Sequence, residues 1–101
     1  MHEYESRILA RRYRKDPSIV SRNIAGEVIL VPIQRRMGDL ENIFMLNPTA
    51  ASAWSLIDGE RTLGEIVDAM TQEFDVKPEE AASDMCHLME QLESMQAVER
   101  V

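Results

Sequence analysis

Cys86 and His87 stand side by side, and a thiol beside an imidazole is a pairing from which nucleophilic catalysis or metal ligation is often built. The spacing defeats both. The surrounding pattern is helical, and adjacent helical positions diverge by about 100°, so the two side chains do not face each other. Cys86 reads as a small apolar core or groove residue. His2 lies near the start of the chain and His87 reads as surface, with no partner ligand evident for either. There is no glycine-rich phosphate loop. The carboxylates fall where exposed helix faces need solvation. The expectation is a protein with no catalytic residue, no metal site and no cofactor, and not an enzyme.

With 101 residues the chain fits one domain with a modest core. The single cysteine excludes an internal disulfide and a cysteine-based zinc cluster, which fits a reducing compartment. No apolar run approaches the roughly 20 residues that span a bilayer, and the charged stretch Met1 to Asp16 lacks the apolar core of a secretory signal. A cytoplasmic location without membrane attachment is expected. The net charge of −7 is unevenly spread: Arg7, Arg11, Arg12, Arg14 and Lys15 cluster near the start, whereas from Ile43 onward 12 acidic residues face only Arg61, Lys77 and Arg100. Such a body repels phosphate backbones.

The elements that must position any site follow from local pattern. Residues 1–17 end at Asp16-Pro17 and are expected to form a basic extension, helical from Glu5 to Lys15, ahead of a domain spanning 18–101. Ile19 to Ile24 and Glu27 to Ile33, rich in β-branched residues, flank Ala25-Gly26 and predict a hairpin whose turn uses the positive φ open to Gly26. Pro32 lacks an N–H and belongs at a strand end or edge. A polar loop, Gln34 to Asn42, leads to a short third strand, Ile43 to Leu46. Asn47-Pro48 then opens a helix, the side chain capping and the proline filling the first position. Ala50, Ala53, Trp54 and Ile57 form its apolar stripe, making Trp54 a core residue, and Gly59 is expected to close it. Thr62 to Glu65 is a capping box for a second helix with Leu63, Ile66, Val67, Met70 and Phe74 inward. A third helix runs from Glu79 to Met95 on Ala81, Met85, Leu88, Leu92 and Met95, and Gln96 to Val101 ends as a short strand.

That third helix carries more apolar surface than one stripe. Ala82, Cys86 and Met89 lie about 40–100° round from Met85, so a flank remains for the hairpin to cover or for a ligand to fill. Strand, three helices and a terminal strand also describe a winged helix, the alternative being nucleic-acid binding through the basic arm or a dimerising scaffold. Charge opposes nucleic acid, because the helix that would enter a groove has Glu79, Glu80, Asp84, Glu90 and Glu93 and no Lys or Arg.

The run Phe44-Met45-Leu46-Asn47-Pro48-Thr49-Ala50-Ala51, then Trp54, Asp58-Gly59, Thr62 and Leu63, resembles the PqqD family, named for the pyrroloquinoline quinone biosynthesis protein D. The similarity runs from about Ser18 to Val101. It implies an α+β, winged-helix-like fold in which an N-terminal three-stranded antiparallel sheet packs on three helices. It also implies a recognition element for the leader of a ribosomally made precursor peptide, which adds as a strand beside the third helix and is presented to a modifying enzyme, often a radical S-adenosylmethionine enzyme. The expected peptide-binding residues are Ile43, Phe44, Met45, Leu46, Ala82, Met85, Cys86 and Met89. An open strand edge beside an apolar cleft invites a cover, so either the segment Ser6 to Ala10 or a second copy in a homodimer is expected there when leader is absent.

Overall fold

The computed structural model describes residues 3–33 and 43–101. In chain order these form α1 (Glu3–Leu9), β1 (Tyr13–Lys15), β2 (Ile19–Ile24), β3 (Glu27–Pro32), β4 (Phe44–Leu46), α2 (Pro48–Leu56), α3 (Leu63–Glu73), α4 (Pro78–Ser94) and β5 (Val98–Arg100). The expected loop Gln34 to Asn42 lies outside the described residues. The fold is α+β, with β2-β3-β4 an antiparallel sheet on the helices and β1-β5 a second small antiparallel sheet. No described helix is long and apolar enough to cross a membrane.

The hairpin closes at Ala25 and Gly26, which both adopt positive φ, 54° and 83°. That is the geometry whose twist matches two antiparallel strands, and it asks the same of Ala25 as of the glycine. Pro32 is the last residue of β3, where its missing N–H interrupts no pair between described strands. At the other end of the sheet, Asn47 accepts from the Ala50 N–H at 2.8 Å and Pro48 starts α2. Trp54 is buried, with the Lys15 ammonium 5.2 Å from the centre of its ring. Thr62 and Glu65 make both bonds of the capping box that opens α3.

Three expectations are corrected. Gly59 does not end α2; Ile57 does, in an extended conformation, its N–H donating to the Trp54 carbonyl. Gly59 instead donates to the Tyr13 carbonyl at 2.8 Å, inside a turn held by the Asp58 carboxylate, which accepts from the Glu60 and Arg61 N–H groups. The helix expected to start at Glu79 starts one residue earlier, with Pro78 in its first position. The helix expected from Glu5 to Lys15 stops at Leu9, and the chain turns into β1, which pairs with β5 in the register Tyr13 to Arg100.

This segment is built into the body. Ile8 and Tyr13 are buried, Leu63 N–H donates to the Arg11 carbonyl, and Gly64 lets the Leu9 carbonyl approach to where a Cβ would sit only 3.3 Å away. The basic cluster is correspondingly engaged. Arg12 donates to the Glu60 carbonyl, Arg14 pairs with Glu99, and Lys15 lies on Trp54.

Candidate functional site

The β2–β3 ladder fixes which main-chain groups of β4 are free. Ile33 N–H donates to the Ser18 carbonyl, so the hydrogen-bonded pairs of the hairpin are Ser18–Ile33, Val20–Val31, Arg22–Ile29 and Ile24–Glu27. Val28 and Leu30 therefore turn their N–H and C=O groups toward β4, where they face Leu46 and Phe44. The N–H and C=O of Met45, between those two, point to the outer edge. No described strand pairs there, because β4 ends the sheet.

Side chains alternate across this strand. Leu46 is buried and Phe44 half-buried on the helix side, whereas Ile43 and Met45 are exposed. Beside the edge opens a groove of about 560 Å³. Phe44 and Met45 line it from β4; Ala50 and Ala53 from α2; Met70 and Phe74 from the end of α3; Ala81, Asp84, Met85, Leu88 and Gln91 from α4. The buried Ala53 and Met70 make an apolar base, while Asp84, His87 and Gln91 supply the polar rim. Such a surface suits an extended chain, whose backbone can pair with a strand edge while alternate side chains enter the groove.

Of the eight candidate residues, Phe44, Met45 and Met85 line this groove, Ile43 flanks it exposed, and Leu46 packs in the core behind it. Ala82, Cys86 and Met89 are elsewhere. They are 0%, 6% and 1% exposed, on the flank of α4 that α1 packs against. The Cys86 thiol is held above its ordinary range by burial first, with the Glu5 and Glu90 carboxylates adding to the shift and Arg11 opposing it. Glu5 and Arg11 thus bracket it from the N-terminal segment. That segment does not enter the groove: no described residue before Phe44 lines it. The expected cover by Ser6 to Ala10 falls instead on the opposite flank. The open flank runs along Ala81, Asp84, Leu88 and Gln91, about 40–120° from Met85 in the other sense. Asp84, Leu88 and Gln91 join the groove beyond the expected residues, on an i, i+4, i+7 spacing visible in the sequence.

A family model for coenzyme PQQ synthesis protein D (PqqD) matches residues 27–97. The chain belongs to the PqqD family. Among solved structures, one described as TbiB1 in complex with the TbiA(beta) leader peptide superposes with a TM-score of 0.70 at 26% identity, covering 85% of this chain and 94% of that one. No curated protein matches significantly. The PqqD match begins at β3 and ends just before β5, so it takes in β4, the groove and all of α4. The N-terminal segment that closes the far flank of α4 precedes it. Among the described residues of this PqqD-family chain, no three His, Cys, Asp or Glu side chains group as a metal site.

Proposed function

We propose that this chain is a non-enzymatic cytoplasmic adaptor that binds the leader of a ribosomally made precursor peptide by strand addition and presents the peptide to a modifying enzyme. The radical S-adenosylmethionine class is the partner proposed, and the chemistry is the partner's. One observation carries the reading: the Met45 edge of β4, which no described strand pairs, opens directly onto an apolar groove walled by α4. A relative of the same fold is described with a leader peptide bound, which supports the same occupant here. Main-chain hydrogen bonds supply sequence-tolerant affinity, and the groove selects alternate side chains.

The test uses the TbiA(beta) leader peptide of the solved relative and peptides from any short reading frame that neighbours this chain's gene, labelled and titrated by fluorescence anisotropy. Met45→Pro deletes the outward N–H without touching the ladder to β3, and proline is tolerated at such an edge position. The variant should keep its circular dichroism spectrum and lose about tenfold or more in leader affinity, as the loss of buried main-chain bonds implies. Equal binding by the folded variant would rule out strand addition at β4.

A further inference from the structure

Resting on the leader-binding reading, the charge of the groove constrains what the leader carries. Among the described residues that line the groove, Asp84 is the one carboxylate and none is Lys or Arg. Asp84 is exposed and makes no ion pair or hydrogen bond with any described residue. Elsewhere Asp58 pairs with Arg61, Glu93 with Arg100, and Glu73 accepts from the Ser52 hydroxyl. From Pro78 to Ser94, α4 contains no Lys or Arg, while Glu79, Glu80 and Glu90 are also exposed along it. The described wall that faces an incoming strand therefore carries one carboxylate, Asp84, beside an apolar base.

The spacing is as informative as the sign. A strand added to β4 lies about 4.8 Å beyond it, and its groove-facing side chains recur every second residue, roughly 6.6–6.8 Å apart. Asp84 and Leu88 are one helical turn apart, about 6 Å. The two spacings match closely enough for successive inward side chains of an added strand to meet Asp84 and then the apolar surface around Leu88.

We propose that the leader segment seated in this groove carries a lysine or arginine opposite Asp84, two residues from an apolar anchor, and that Asp84 is the residue selecting for it. The apolar anchor supplies burial; the cation fixes register along the edge and speeds encounter with an acidic surface.

A library of random eight-residue peptides displayed on phage is selected against the wild-type chain, against Asp84→Asn and against Met45→Pro. Asp84 is an exposed helical position, so the asparagine variant is expected to fold. Among peptides that need the Met45 edge, wild type should enrich Lys or Arg two residues from an apolar position, and Asp84→Asn should lose that enrichment. A selected peptide, synthesised with Lys or Gln at that position, should bind wild type about 3–10-fold more tightly as Lys, and bind Asp84→Asn equally in both forms. Peptides that depend on Met45 yet show no cation preference would overturn the role of Asp84 and leave leader binding intact. Selection that yields no Met45-dependent peptide would overturn both.

Discussion

Ala25 holds a left-handed conformation, φ 54°, that a residue with a Cβ adopts at a cost and asparagine adopts more readily. Ala25→Asn should therefore stabilise the fold by about 0.5–1 kcal/mol, read as a raised urea midpoint at unchanged slope. A lowered midpoint would mean that the turn is not set by backbone conformation. Two carboxyls report on acid stability. Asp58 titrates below its ordinary value because the Arg61 and then the Glu60 N–H donate to it, and Asp16 does so because the Ser18 hydroxyl and N–H donate to it. A folded-state pKa below the unfolded value of about 3.9 contributes stability that is present above that pH and is lost as pH falls through the depressed value. Asp58→Asn keeps an accepting oxygen but cannot titrate, so stability measured between pH 5 and 2.5 should fall less steeply than in wild type. An identical acid limb would remove Asp58 from the account. At this scale the sequence was most legible in the caps. Asn47-Pro48 and Thr62 to Glu65 each specify a bond among residues three apart, so no distant contact is needed to find them.

The elements that were misread are those whose partners are far away in sequence. β1 is three residues long and α1 seven, too short to display a period, and each is fixed by contacts with residues 50–90 positions later. The same limit explains the flank of α4. Apolar residues extend on both sides of Met85, and a helical wheel cannot say which side a remote segment will cover. The structure buries Ala82, Cys86 and Met89 on the flank where Glu5 and Arg11 come near Cys86, and leaves Ala81, Asp84 and Leu88 to the groove. If α1 is the lid of that flank, Ile8→Ala should cost about 2–4 kcal/mol, as truncation of a buried aliphatic does. It should also speed the reaction of Cys86 with an aromatic disulfide reagent in native conditions, because opening α1 uncovers the thiol. A stability loss without faster labelling would place Ile8 in the core but deny α1 its covering role.

The whole molecule combines a family scaffold with an N-terminal segment that packs on its far side, away from the β4 edge and its groove. Strand order and the β2–β3 hairpin were readable because alternation and a two-residue turn are local, and their register then decides which backbone groups of β4 face outward. An open edge accepts the same edge of a second copy as well as a leader strand. Homodimers paired through β4 are therefore expected at high concentration. Sedimentation should show their mass falling toward monomer as leader is added, and a mass unmoved by saturating leader would exclude a shared edge. The central claim, that leader adds as a strand at Met45, is tested most directly by residue-resolved amide exchange with and without leader. Phe44 and Leu46 amides, already paired to β3, should be protected in both states, while the Met45 amide should exchange fast alone and become protected on binding. A Met45 amide that exchanges equally in both states while leader is bound would contradict the account.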